Sequence, residues 1–392
     1  MTHDHARLKE QFLLNPDITF LNFGSFGACP RPVFEDYQKW QLALERDPVQ
    51  FITVTGLQHL KASREALAAY VNCGADDLVY VTNPSYAVNI VAKSFPLETG
   101  DEVLTTGLEY GACDRTWAYY CAKKGARWVR QNISLPLVSK EQFVEEFFRG
   151  ATSRTKAVFI SQVTSTTGLL LPVKEIAGKA REKGLVVMID GAHVPGHIPL
   201  DIAALDPDIY TGACHKWMMA PKGCSFLYVK RELQPLFDPL VISWGYQAVN
   251  PSHSRFLDYH QTQGTRDFSA FLAVPAAIRF MKENNWDRVA AHCRTLVTSN
   301  ADRFCDLLST STLAPLHHDF IGQMISLPLN TTQPEKLQRT LYDEYQVEIP
   351  VMRHGQQVFI RYSINGFNSQ HDLDRLFYAL EDIGKKSNLV NG

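Results

Sequence analysis

An α/β fold on a mostly parallel sheet, followed by a smaller α+β unit, is the architecture this 392-residue chain predicts. Three observations point to it. From about residue 57 to residue 229, β-rich runs alternate with helical segments of about 10–15 residues, the rhythm of strand–helix–strand crossovers. Several of those runs, such as "TKAVFISQV" and "LVVMID", are apolar almost throughout and read as buried strands. After about residue 260 the texture changes to long helical stretches around two β-rich runs.

The elements follow in order. Residues 57–71, "LQHLKASREALAAYV", are amphipathic and rich in helix formers. "DLVYVT" is a short strand and "SYAVNIVAKSF" the helix after it. "DEVLTT" is the next strand, and "GACDRTWAYYCAKKG" a helix that stops at Gly125. "ARWVRQ" is a strand, "SKEQFVEEFF" a helix, "TKAVFISQV" a strand. "VKEIAGKAREKG" is a helix with Gly184 as its stop. "LVVMID" and "CSFLYVK" close the strand series. Beyond it, "FSAFLAVPAAIRFMKENN" and "DRVAAHCRTLVTSNADRFCDLL" read as helices. "QMISLPL" and "QVFIRYSI" read as strands around the helix "PEKLQRTLYDEY", and "SQHDLDRLFYALEDI" is the final helix.

The length suits two or three domains at about 150 residues each. The domain change falls near residues 245–270. The expected division is a large domain of residues 18–255 and a small domain of residues 256–392 with the N-terminal segment 1–17. A 45% hydrophobic, 20% charged composition supports a sizeable core. A net charge of −2 provides no global field for nucleic acid or an anionic membrane. No apolar run reaches the roughly 18 residues of a membrane span, and "MTHDHARLKEQF" has no apolar core of a secretory signal. The eight scattered cysteines form no CxxC pair, so reduced thiols in a cytoplasmic protein are expected, with no metal site.

Parallel sheets bind ligands at the carboxyl ends of their strands. That rule selects Thr82–Tyr86, Glu109–Tyr110, Thr164–Gly168, Asp190–His193 and the loop around Lys216. Asp190 ends an apolar strand, where an acid is costly unless partnered, although capping a loop is a common use. Lys216, in "YTGACHKWMMAPKG", stands 26 residues further on, one step along the sheet. A carboxylate and a lysine facing one crevice suit a pyridine cofactor. The carboxylate keeps the ring nitrogen protonated, and the lysine holds the aldehyde carbon covalently. An ordinary ion pair has the same composition. "TNPSYAVN" sets Ser85 and Tyr86 at a helix start, where backbone N–H groups receive an anion or a side chain caps the helix. The chain has no GxGxxG and no GxxxxGK[ST], which counts against dinucleotide and P-loop chemistry.

Seven motifs fall in one order: "TNPSYAVN", "LEYGACDRTW", "VTSTTGLLLPV", "DGAHVPGH", "CHKWMMAPKG", "QGTRDFSA" and "FIRYSINGFN". Together they resemble the class V aminotransferase group of fold type I pyridoxal-phosphate enzymes, over about residues 18–385. Within the group the resemblance is to the isopenicillin N epimerase-like branch. The resemblance implies a pyridoxal 5'-phosphate cofactor, an amino-acid substrate and a homodimer whose subunits share the active site. Lys216 then matches the lysine bonded to the cofactor, Asp190 the partner of the ring nitrogen, and His193 the contact to the ring hydroxyl. Tyr110 matches the stacking ring. Ser85, Tyr86 and His215 match phosphate contacts, and Gly264 and Thr265 the segment lent by the second subunit. Ser165 matches a residue near the ring oxygen and substrate. Arg361 matches the arginine that grips the substrate carboxylate, with Arg353 a weaker choice and a surface role on an edge strand the plain alternative.

Two departures bear on the reaction. The loop before Arg361, "IPVMRHGQQVFIRYS", has no cysteine, which disfavours persulfide transfer. Ala213 stands where desulfurase relatives carry a phosphate-binding hydroxyl. Epimerisation or C–S lyase chemistry at Cα and Cβ is the expected activity, with aminotransfer as the alternative. His193, Tyr110 and the "NFGSFGACP" loop are candidates for a second base. Phe26, Trp244 and Tyr246 either shape the substrate side or pack in the core. Lys222 reads as an ordinary solvated lysine, and Cys214 has no assigned role.

Overall fold

The computed structural model describes residues 5–387 and 389–390. Its centre is a seven-stranded sheet. The spatial order is Leu78–Val81, Ser225–Val229, Ile209–Ala213, Val186–Gly191, Thr155–Ser161, Glu102–Thr106 and Arg127–Gln131. Ser225–Val229 runs antiparallel to both neighbours, and the other pairings are parallel. The middle strands are buried along nearly their whole length, which explains their unbroken apolar sequence.

Helices cover the sheet, and their ends are set locally. Asn83 caps Pro84–Ser94 by accepting the Tyr86 N–H at 2.8 Å. Ser139 caps Lys140–Phe148 by accepting from Gln142 N at 3.1 Å. Gly184 follows Val173–Glu182 with φ +68°, the left-handed turn that ends a helix.

Three features depart from the sequence reading. Ile209–Ala213, "IYTGA", is a strand that small residues hid, and it carries the chain to Lys216. Arg31–Arg46 is a 16-residue helix, started by Pro32 in its first turn. Residues 268–285 form two helices, Ser269–Leu272 and Val274–Glu283, with Pro275 opening the second.

Toward the C-terminus, a three-stranded antiparallel sheet has the order Val351–His354, Gln357–Ser363, Met324–Pro328. Helices Trp286–Leu308 and Gln370–Lys386 pack with it, the latter started by a capping box of Ser369 and Asp372. The N-terminal segment joins this unit. Thr19–Phe20 pairs in parallel with Val347–Glu348, and Asn22 bridges Ser363. No helix among the described residues is long and apolar enough to cross a membrane. The eight cysteines are free thiols, and six are buried.

Candidate active site

Two neighbouring strands bring the chemistry together. Asp190 ends Val186–Gly191 and lies in register with Thr211 on Ile209–Ala213, five residues before Lys216. The loop after Ala213 turns back on itself, with Met219 N donating to the Lys216 carbonyl at 3.0 Å and Ala220 N to the Cys214 carbonyl at 2.9 Å. Trp217, Met218 and Met219 are fully buried and fasten the loop to the core.

The lysine amine lies 3.1 Å from His193 Nε2. Its pKa falls from 10.5 to about 8, chiefly through burial; Asp190 opposes the fall and Arg361 adds to it. His193 is held far below its ordinary pKa by burial and by Lys216, so it is a neutral imidazole. Its Nδ1 accepts from Trp217 Nε1 at 3.3 Å, which leaves Nε2 for the amine. Asp190 is buried and its pKa is raised by burial. Its Oδ1 accepts from Ala192 N at 2.9 Å, and its Oδ2 lies 3.4 Å from the Cys113 thiol.

Arg361 enters from the C-terminal sheet, where it faces Ser326 in register. It is 1% exposed, yet with its pKa lowered only to about 10, by burial, it is a cation at neutral pH. Its Nη1 donates to the Ser165 carbonyl, and its Nη2 to Ser25 Oγ at 3.0 Å. Ser25 in turn donates to Asn22 Oδ1, and Asn22 Nδ2 donates to Glu348 Oε1 at 2.9 Å. Ser25 therefore orients the arginine. Sequence reasoning marked only its loop, and the repeated glycines of "NFGSFGACP" were the usable signal. Gly27 has φ +64°, and a Cβ there would lie 2.5 Å from the carbonyl oxygens of His215 and Lys216. Gly27→Ala is expected to destabilise the fold by about 1–3 kcal/mol in urea unfolding, because strain and collision add. Unchanged stability would sink the close-approach argument.

The remaining residues fall in three groups. Tyr110 is the N-cap of Gly111–Lys123 and is 48% exposed, beside buried Glu109. Glu109 accepts from Thr106 Oγ1 at 2.7 Å and Ser161 N at 3.0 Å; burial raises its pKa to about 7. Cys113 lies one helical turn from Tyr110, a spacing that could have flagged its approach to Asp190. Ser85 and Tyr86 open the Pro84–Ser94 helix, and the Tyr86 hydroxyl donates to Gln263 Oε1 at 2.8 Å. His215 is fixed through Nδ1, 2.9 Å from the Cys224 carbonyl. Gly264 and Thr265 are exposed, and no contact brings them to Lys216 within one chain. Phe26 and Trp244 are 70% and 81% exposed, which rules out core packing for them, and Tyr246 is exposed too. Lys222 is exposed but not simply solvated, since its amine donates to the Gly27 carbonyl at 3.0 Å.

Two buried donors in this region have no acceptor, Arg361 Nε and Gln263 Nε2. One belongs to the arginine beside Lys216; the other lies next to Tyr86 at a helix start. That pattern, with an amine, a buried carboxylate and a neutral histidine between, fits a molecule carrying two anionic groups and a pyridine ring.

Comparison with known proteins identifies the family and the fold. Residues 35–376 match the family model described as aminotransferase class-V. The isopenicillin N epimerase of Amycolatopsis lactamdurans is 33% identical over 394 residues, covering 97% of this chain and 98% of that protein. The hercynylcysteine sulfoxide lyase of Schizosaccharomyces pombe is 24% identical over 96% of this chain and 97% of its own length. The apo cysteine desulfurase of Thermococcus onnurineus NA1 superposes with a TM-score of 0.84 at 19% identity, covering 98% and 99% of the two chains, and so shares the fold. The chain belongs to the class V aminotransferase family of pyridoxal-phosphate enzymes.

Proposed function

We propose that the chain binds pyridoxal 5'-phosphate and removes the Cα proton of an amino-acid substrate, with epimerisation at that carbon as the outcome. The observation that carries this is the Lys216 amine, buried 3.1 Å from neutral His193 and lowered in pKa chiefly by that burial, with Asp190 opposing the fall and Arg361 adding to it. Bound there, the cofactor supplies an aldehyde to capture the substrate amine and a ring to hold the electrons left by the Cα proton. Lys216 would anchor the cofactor, Asp190 would hold a proton at the ring nitrogen, and His193 would contact the ring hydroxyl. Tyr110 would cover the ring. Ser85, Tyr86 and His215 would hold the phosphate, joined by Gly264 and Thr265 of a second copy. Ser165 would serve the ring oxygen and substrate, and Arg361 would fix the substrate carboxylate. The Lys216 amine would be the base that takes the Cα proton.

The dimer reading rests on an exposed apolar stretch. Ile242, Trp244 and Val249 are 62%, 81% and 85% exposed, and Gly245 N donates to the Thr262 carbonyl at 3.2 Å, so this patch borders Gly264 and Thr265. Eight free thiols favour a cytoplasmic setting. Residues 18–255 would serve as the cofactor-binding domain and residues 256–392 with 1–17 as the small domain, with Thr19–Phe20 and Asn22 reaching across to the small domain's strands.

A second reading is C–S lysis, in which the Cα–H electrons form a Cα–Cβ double bond and the thiolate leaves with the Cβ–S pair. The sulfoxide lyase relative favours it. One experiment separates the outcomes. The purified protein is incubated with an amino-acid panel in deuterium oxide. Deuterated, inverted amino acid supports epimerisation; keto acid with free thiol supports lysis; keto acid with aminated cofactor overturns both in favour of aminotransfer. A colourless protein that takes up no pyridoxal phosphate overturns the enzyme reading.

The rate also carries a pH signature. Burial favours the neutral amine, so the fraction of Lys216 able to accept a proton rises as pH passes about 8. Turnover is expected to rise through that pH and level above it. A profile falling between about pH 7 and 9 would count against Lys216 as the base.

A further inference from the structure

A cavity of about 820 Å³ lies among the Val274–Glu283 and Trp286–Leu308 helices, Tyr70 and the loop of residues 196–199. Neither Lys216, Asp190, Tyr110 nor Arg361 lines it. It shares one wall with the pocket described above. His197 lines the cavity, while its ring stacks on Trp217 at 4.1 Å and its Nδ1 is 2.8 Å from the His193 carbonyl. The wall is firmly held. Gln323 N donates to His197 Nε2 at 2.6 Å, and a Cβ on Gly322 would come within 2.2 Å of that nitrogen. A Cβ on Gly196 would meet the Trp217 carbonyl oxygen at 2.3 Å.

The size falls within the range of about 300–1,000 Å³ that holds small ligands. The lining is of two kinds. Tyr70, Ile278, Met281 and Trp286 supply apolar surface. Trp286 has committed its Nε1 to the Gly196 carbonyl at 3.1 Å, so it offers a ring and no donor. Lys282 and Arg294 supply cationic ends, and one carboxylate, Asp287, stands among them. The 23-residue helix Trp286–Leu308 also begins here, and its cap residue, Asn285, makes no side-chain cap bond. The first-turn N–H groups and the helix dipole therefore add to the positive field.

We propose that this cavity is a second binding site, for a small organic anion with an apolar body. The carboxylate or sulfonate end meets Lys282, Arg294 and the helix start, and the body lies on Tyr70 and Ile278. The site goes beyond the proposed reaction and does not depend on it.

The probe is anilinonaphthalenesulfonate, an aromatic sulfonate that fluoresces on apolar surface. The holoenzyme is titrated as purified, and again after borohydride has fixed the cofactor to Lys216. Saturable binding of similar affinity in both is the expected result. The double variant Lys282→Glu, Arg294→Glu is expected to bind at least about tenfold more weakly. Ala291→Trp, which fills the cavity without changing its charge, is expected to do the same. Both variants should keep the visible cofactor band, which reports an intact catalytic pocket; Arg294→Gln replaces the double variant if that band is lost. Binding that disappears on borohydride treatment assigns the probe to the catalytic pocket and overturns the proposal. So does non-saturable binding, or undiminished affinity in either variant.

Discussion

Replacement of Lys216 by alanine is expected to lower turnover by about four orders of magnitude or more. The change would remove the proposed covalent anchor and base together, and a positioned proton acceptor alone contributes about 10²- to 10⁴-fold. Borohydride should then no longer fix the cofactor to the chain. Lys216→Arg separates charge from chemistry, because a guanidinium at this position keeps the cation but neither condenses with an aldehyde nor deprotonates. It should be as inactive as alanine. The amine's hydrogen bond is to His193 alone of its neighbours' side chains named above, so thermal unfolding of either variant should stay close to that of the parent. Turnover within tenfold of the parent in Lys216→Ala would remove the central role given to this lysine.

Arg361→Lys is expected to reduce kcat/KM by about 10²- to 10³-fold, with much of the loss in KM. The guanidinium forks between the Ser165 carbonyl and Ser25 Oγ while its Nε has no partner. An ammonium cannot reproduce that planar set of donors toward a carboxylate. Arg361→Ala should cost more, since it leaves the two oxygen acceptors in a buried site without their donor. Arg353, the weaker choice from sequence, is exposed on the Val351–His354 strand, so Arg353→Ala should leave KM unchanged. Equal losses in Arg353→Ala and Arg361→Lys would mean that neither arginine recognises the carboxylate directly.

Much of this was readable from the chain, and the misses share a cause. Apolar runs such as "LVVMID" announce strands because both of their faces are covered. Ile209–Ala213 was hidden because Thr211, Gly212 and Ala213 are small or polar. Phe226 packs where a side chain on Gly212 would be, at 2.5 Å from its Cβ, so the strand is buried without carrying much apolar bulk of its own. Asp190 and Lys216 stood out because charged residues beside buried strands demand partners. Ser25 and Cys113 did not, because a hydroxyl or a thiol is unremarkable in sequence. Their meaning comes from Arg361, 336 residues from Ser25, and Asp190, 77 residues from Cys113. Such separations are visible only once the chain has folded. Gly264 and Thr265 mark a different limit, since the role proposed for them in a second copy's pocket would leave no trace in the contacts of one chain.

The contact between Ser25 and Arg361 also sets a timetable. A ribosome adding about 5–20 residues per second needs roughly 20–70 s to pass from Ser25 to Arg361. Through that interval the central sheet, complete by residue 229, can form with Lys216 and Asp190 in place. Phe23–Phe26 can already pack on the Lys216 loop through the Phe23–Trp217 contact, but Ser25 has no Arg361 to meet until Gln357–Ser363 emerges. Nascent or truncated chains lacking that last strand would therefore hold the lysine but not Arg361. The two ends of the polypeptide act as a clasp, and the Ser25–Arg361 contact that closes it is among the last that translation delivers.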